Sequence, residues 1–198
     1  MLYKITRYFF LPIYRPEEGI LSLSSEKNKV LYAVLIFLFL GIIYTISVQI
    51  AYTKGLGASV NPFIKIPAED YYYWQRFYQI PFFFTTSIVF AGIVRLLSVP
   101  LKGEGSFEDH FCLFAVAQTF PMFITMWIPE TIYFVFHEQT SVVPLWVDIV
   151  RQIIGILWAL IIMVAGVSII EKMKWYVSMF IVLLSAIPVI GLMVIFIR

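Results

Sequence analysis

The densest group of reactive side chains lies in the stretch KGEGSFEDHF, residues 102–111, between two long apolar runs. Six of its residues carry groups that could bind or react: Lys102, Glu104, Ser106, Glu108, Asp109 and His110. Carboxylates beside an imidazole are ligands for divalent cations, and a Gly-x-Gly sequence occurs in loops that hold phosphate. Either chemistry would make this stretch a functional site.

Helix capping explains the same residues with fewer assumptions. The sequence lacks the GxxxxGK[ST] phosphate loop, and residues 108–110 would point to different faces of a helix rather than converge on a metal. Ser106 followed three residues later by Asp109 resembles a capping box, and acidic residues favour the positive end of a helix. Gly103 and Gly105 allow a tight reversal before it. The stretch therefore predicts a helix start with no metal or cofactor, and partner or lipid-headgroup binding is the functional alternative.

Composition places the chain in a membrane. Of its 198 residues, 61% are hydrophobic and 13% are charged, against about 45–50% and about 25% in a globular domain. Such a chain cannot cover its surface with polar groups, so lipid is its expected solvent. The net charge of +2 and its scattered basic residues do not indicate nucleic-acid binding. A single cysteine, Cys112, excludes a disulfide within the chain.

Five apolar runs are long enough to cross a bilayer as helices, which takes about 20 residues each. Because backbone groups in hydrocarbon must bond internally, these runs predict an all-α integral membrane protein with five transmembrane helices. The first 29 residues would form a cytoplasmic or interfacial segment, and residues 30–198 the membrane domain. The predicted spans are about 30–52, 78–99, 107–128, 147–170 and 175–197.

The basic residues favour a cytoplasmic N-terminus and an external C-terminus. Nine would then lie inside, namely Lys4, Arg7, Arg15, Lys27, Lys29, Arg95, Lys102, Lys172 and Lys174. Five would lie outside, namely Lys54, Lys65, Arg76, Arg151 and Arg198.

Two prolines fall inside predicted spans, Pro121 in the third and Pro188 in the fifth. Each removes a backbone hydrogen bond and should kink its helix, with Thr119 and Ser185 near enough to re-satisfy the freed groups. Gln118, one turn before Pro121, is the most central polar residue. Kinks around it would suit a small transporter or lipid-handling protein with a cavity at the midplane.

An aromatic run and a small-residue pair also have two readings each. Residues 68–84, AEDYYYWQRFYQIPFFF, fit an aromatic belt at the outer membrane surface. The more specific alternative is a cation–π cage that binds a choline headgroup. Gly155 and Ala159 form a small-xxx-small pair that favours close helix packing or dimerisation.

Catalytic motifs such as HExxH and GxSxG are missing, and His110 and His137 would lie on opposite sides of the membrane. The chain is therefore predicted not to be an enzyme.

Four features of the sequence occur in a recognisable order: the opening LPIYRPEEGI, GEGSFEDHF at 103–111, AVAQTFP ending at Pro121 and the closely spaced hairpin at 158–188. In these features the chain resembles the Ypt-interacting-protein (Yip) family of multi-pass membrane proteins. The resemblance extends over roughly residues 10–198. The order of the motifs among five membrane spans supports it more strongly than any single motif does.

The resemblance implies a non-enzymatic protein that organises membrane or binds partners at the cytoplasmic face. Eukaryotic relatives are associated with Rab-type GTPases and with traffic between endoplasmic reticulum and Golgi, and they carry a longer N-terminal region. With 29 residues before its first span, this chain is more similar to the short prokaryotic members, which implies a prokaryotic cell membrane. Association of the chain into a homo-oligomer is also compatible with the sequence. The family supplies no catalytic residues.

Overall fold

The computed structural model describes residues 11, 15–57, 63, 65–136 and 145–196, and within them every regular element is a helix. The helices in chain order are α1 Pro16–Ser24, α2 Lys29–Thr53, α3 Tyr71–Ser98, α4 Phe107–Met122, α5 Ile128–Phe136, α6 Leu145–Glu171 and α7 Trp175–Phe196. Short 3-10 turns flank α3 at Ala68–Asp70 and Val99–Leu101, and a π-helical turn, Phe123–Trp127, joins α4 to α5. The all-α prediction is confirmed.

Five helical units are long and apolar enough to cross a membrane: Lys29–Thr53, Ala68–Leu101, Phe107–Phe136, Ile149–Glu171 and Trp175–Phe196. This confirms the five-helix prediction. Two units are longer than the predicted spans. The second starts at Ala68 because the tyrosine-rich run is already helical, and the third continues past Ile128 through the π turn into α5, although Pro129 lies in it.

Helix α4 is the centre of the bundle. It packs against α2, α3 and α6, and every residue from Asp109 to Thr119 is buried. In the unit that contains α4, 61% of the most apolar 18-residue stretch is buried inside the protein. In α7 the buried share of the corresponding stretch is 28%, so most of that helix faces lipid. A helix surrounded on all sides needs no amphipathic pattern, and polar side chains on α4 must find partners inside the protein.

The N-terminal segment contains α1, which lies against α6 and α4. Ile20 and Leu23 enter the main hydrophobic core, while Glu17 and Glu18 are exposed. The division of the chain at residue 29 and the interfacial placement of the first segment stay predictions.

The bundle has two ends. We call the end that carries residues 99–106 and 172–174 the loop end, and the end that carries Thr53, Ala68 and Phe136 the opposite end. At the loop end, the left-handed residue Lys102 (φ 63°) follows the 3-10 turn after α3, and the left-handed residue Lys172 (φ 51°) follows α6. Lysine rather than glycine therefore makes the reversal after α3, contrary to the expectation for Gly103 and Gly105.

Pro121 and Pro188 both lie inside helices, as predicted. The hydroxyl groups near them do not re-satisfy the carbonyls that the prolines leave free. Thr119 bonds to the Ala115 carbonyl and Ser185 to the Ile181 carbonyl, each the usual acceptor one turn back. That part of the prediction is wrong, because each hydroxyl bonds to the carbonyl four residues before itself and not to the carbonyl four residues before the proline.

Candidate functional site

The six polar residues of the 102–110 stretch divide into an outer and an inner set. Lys102, Glu104 and Glu108 are exposed, and Glu104 forms a 2.6 Å ion pair with Lys172 across the loop end. Asp109 and His110 are buried. The structure therefore does not bring the three carboxylates together around an ion, and among the described residues no group of three or more His, Cys, Asp or Glu side chains could hold a metal.

Ser106 and Asp109 form the predicted capping box. The Ser106 Oγ accepts a hydrogen bond from the Asp109 backbone N–H at 3.2 Å, and Asp109 Oδ2 accepts one from the Ser106 backbone N–H at 3.0 Å. Two of the backbone donors at the start of α4 are satisfied in this way. The capping interpretation of this part of the stretch is confirmed.

Asp109 also ties the N-terminal segment to α4. Its Oδ1 lies 2.6 Å from Lys29 Nζ, at the start of α2, and accepts a hydrogen bond from the Ser24 hydroxyl of α1 at 2.8 Å. Lys29 Nζ also donates to the Ser24 carbonyl at 3.2 Å. One carboxylate thus fixes the relative position of three helices.

Glu171, the last residue of α6, is the centre of a second buried cluster, which was not predicted from the sequence. Its Oε1 accepts a hydrogen bond from the Ser98 hydroxyl at 2.6 Å and lies 2.5 Å from His110 Nε2. Its Oε2 accepts from the Gly105 backbone N–H at 2.9 Å and lies 3.6 Å from the Arg95 guanidinium. The side chain of Glu171 is 0% exposed, so three hydrogen-bond donors and the nearby charge of Arg95 replace the water it has lost.

The two glycines of the stretch are required by this cluster. A Cβ atom on Gly103 would collide with the Glu171 carboxylate, and one on Gly105 would lie 2.5 Å from Ile170 Cγ2 and 3.0 Å from Glu171 Cδ. The Arg95 guanidinium additionally donates to the Gly103 carbonyl at 3.1 Å. The loop backbone therefore lies directly on the end of α6.

The cluster does not have the geometry of a nucleophilic catalyst. In a serine–histidine–acid triad, the imidazole lies between the hydroxyl and the carboxylate. Here the Ser98 hydroxyl and the His110 ring both contact the same oxygen of Glu171, and a carboxylate can only accept, so His110 donates through Nε2. His110 Nδ1 is buried without a partner. This arrangement holds helices together rather than activating Ser98.

A sequence signal for Glu171 did exist. It is an acidic residue at the end of an apolar run, next to the short connection to α7. Ionisable residues in membrane segments pair with one another, and Arg95 and His110 were the partners available near that face. His137, the other histidine, lies outside the described residues.

A third polar cluster lies toward the opposite end. Arg151 donates to the Thr125 and Met126 carbonyls of the π turn, at 2.9 Å each, and its Nη2 lies 3.3 Å from Glu130 Oε1. Tyr44 donates to Glu130 Oε2 at 2.8 Å. Glu130 and Arg151 are thus joined between two helices, not directed separately toward the membrane surface.

The aromatic run does not form an open cage. The Arg76 guanidinium lies 4.3–4.9 Å from the ring centres of Tyr52, Tyr73 and Phe77 and donates to Gln49 at 2.8 Å. The chain's own cation occupies the place that a choline group would take. The choline-cage alternative therefore has no support from the geometry.

Gln118 is buried in α4, and neither the small cavity between α1, α4 and α6 nor the groove between the π turn and α6 is lined by Gln118, Pro121 or Pro188. Gly155 faces Thr125 so closely that a Cβ would collide with its hydroxyl. The small-residue pair therefore serves close packing within the chain at Gly155.

An all-helical bundle with five membrane-length apolar helices defines a multi-pass integral membrane protein. Residues 12–197 match the Yip1 domain family, so the match covers nearly the whole chain. The protein belongs to the Yip1 domain family. No curated protein and no solved structure matches it significantly.

Proposed function

We propose that this Yip1-domain protein is a non-enzymatic membrane protein that binds a protein partner through its loop end. The observation that carries the proposal is that the exposed residues of the 99–108 stretch are held on a backbone fixed from beneath by Glu171. A surface already in its bound shape loses little conformational entropy on association.

The surface has the mixed character of a protein interface. Leu101 and Phe107 are 54% and 38% exposed, and Lys102, Glu104 and Glu108, which are exposed as well, are close to them in the sequence. Exposed apolar and charged side chains occur together in protein–protein contacts.

The polar groups beneath this surface support a non-catalytic role. Asp109, His110 and Glu171 are buried and are bonded to other side chains of the bundle. We place the loop end in the cytoplasm on the distribution of basic residues, and we place the protein in a prokaryotic cell membrane, as the resemblance to short members implies.

The test is site-specific photocrosslinking from position 101 in intact membranes, comparing wild type with E104Q/E108Q. We expect the double variant to insert normally and to lose most of a discrete crosslinked species. Asp109 stays unchanged, because replacing it would break the capping box and the contact with Lys29.

The matched control is E69Q/D70N, which removes two exposed carboxylates from the opposite end. It should leave the crosslinked species unchanged. Equal crosslinking by wild type and E104Q/E108Q would exclude these carboxylates as the docking contacts.

A further inference from the structure

A groove of about 360 Å³ lies between the π turn and the beginning of α6. Its walls are formed by Ile124, Thr125, Pro129, Trp146, Val147, Val150, Arg151 and Ile154. Pockets of about 300–1,000 Å³ accommodate ligands of small-molecule size. From Trp146 to Ile154 the wall on α6 is about 12 Å long, at about 1.5 Å per residue.

The groove follows from the irregular backbone beside it. A π turn widens the helix by one residue, and such turns occur frequently at functional sites. Arg151 holds two carbonyls of this turn, Thr125 and Met126, and Gly155 allows α6 to contact Thr125 directly. These contacts fix the shape of the groove floor, which is therefore preformed.

The groove is continuous with the lipid-facing surface of the bundle. Ile124, Val150 and Ile154 are exposed, and the exposed apolar surface of α6 continues through Leu157 and Ile161. Since this chain spans a membrane, the established neighbours of that surface are acyl chains. The walls other than Thr125 and Arg151 are apolar.

One polar feature at the groove matches a phospholipid headgroup. Arg151 lies in the second turn of α6, which begins at Leu145, and forms part of the groove wall. It is paired with Glu130, and the two side chains are 15% and 20% exposed. A guanidinium beside a carboxylate is complementary to the phosphate and ammonium of a zwitterionic headgroup.

We propose that this groove binds one acyl chain of a zwitterionic phospholipid, with the lipid phosphate at Arg151 and the amine toward Glu130. Lipid tails are as apolar as leucine, so the hydrophobic effect does not distinguish the groove from bulk lipid. The preference comes from dispersion contacts with the concave wall and from charge-assisted hydrogen bonds at Arg151.

The test uses the full chain in nanodiscs of phosphatidylcholine, a fraction of which carries a photoactivatable group on one acyl chain. After irradiation, mass spectrometry locates the labelled residues. We expect Ile124 and Val150 to be labelled about tenfold more than Leu183 and Ile187, which are comparably exposed on α7, a ratio that corresponds to about 1.4 kcal/mol. Equal labelling of the two helices would overturn the proposal.

Two tryptophan substitutions on α6 provide a matched pair. Ile154→Trp fills the groove, whereas Ile161→Trp adds the same side chain two turns away, where Ile161 is 68% exposed and lines no part of the groove. Labelling of Val150 should fall about tenfold in the first variant and stay at the wild-type level in the second. Equal labelling in the two variants would exclude the groove as the binding site.

Two further readouts test the identity of the occupant. Photoactivatable phosphatidylglycerol should label Val150 less than phosphatidylcholine does, and equal labelling would overturn the headgroup assignment. Native mass spectrometry should show one retained phospholipid per chain. A dimer that Ile154→Trp converts to monomers would instead identify a second copy of this chain as the occupant.

Discussion

His110 Nε2 lies 2.5 Å from Glu171 Oε1, and this contact joins the first turn of α4 to the last residue of α6. On the surface above this contact, the ion pair between Lys172 and Glu104 links the connection after α6 to the connection before α4. The connections at 102–106 and 172–174 therefore behave as one unit. Their shape is set by a carboxylate inside the bundle.

Replacing Glu171 should destabilise the protein strongly. In Glu171→Gln, the new amide group faces hydrogen-bond donors and the Arg95 charge loses its counterion. Breaking one partner of a buried ion pair costs about 3–5 kcal/mol, so we expect a loss of about 3 kcal/mol in the free energy of unfolding, measured by denaturant titration in detergent. The control, E104Q, breaks a pair whose side chains are 69% and 60% exposed and should cost less than about 1 kcal/mol. Equal losses would contradict the central role of Glu171.

A methyl group on Gly105 should have the opposite effect to one on Gly92. Gly105→Ala places a Cβ against Ile170 and the buried Glu171 carboxylate, and overpacking of this kind costs about 1–3 kcal/mol. Gly92 lies inside α3 with nothing within 4 Å of an added Cβ. Gly92→Ala should therefore stabilise the helix by about 0.5–1 kcal/mol. Thermal unfolding of the two variants gives the comparison, and an unchanged Tm for Gly105→Ala would show that the loop can move away from α6.

The sequence predicted the parts of this protein that depend on local rules. Apolar length alone gives the five helices, and Ser106 with Asp109 predicts the start of α4 because a capping box needs only residues three positions apart. The Glu171 cluster depends on four segments that meet only after folding. Ser98, Gly105 and His110 carry no local signal that they share one acceptor, so their roles could not be predicted individually.

The prolines show a second limit. Pro121 predicts a kink in the third helix, and the irregular backbone that the structure shows just after it is a π turn at Phe123–Trp127. Arg151, from another helix, donates to the Thr125 and Met126 carbonyls of this turn, and Thr125 lies four residues before Pro129, so Arg151 compensates for the missing N–H of Pro129 rather than that of Pro121. A sequence pattern gives the missing backbone hydrogen bond but not the side chain that compensates for it.

The capping box predicts a moderate effect at Ser106. Ser106→Ala removes the acceptor for the Asp109 N–H and the donor to Asp109 Oδ2, and loss of an N-cap costs about 1 kcal/mol. Ser106→Thr should restore most of it. Ser25→Ala is the control, because the exposed Ser25 hydroxyl bonds only to a local carbonyl. If all three variants unfold at the wild-type midpoint in a denaturant titration, the box does not contribute to stability.

The orientation of the bundle can be tested with single cysteines, because Cys112 is the chain's only cysteine and is buried. Glu104 and Glu69 are exposed at the loop end and the opposite end. A membrane-impermeant maleimide added to intact cells should label E69C and leave E104C unlabelled, and permeabilised cells should show both. Wild type reports any reaction of Cys112. Labelling of E104C alone in intact cells would place the loop end outside, and the partner proposed for that surface would then have to be extracytoplasmic.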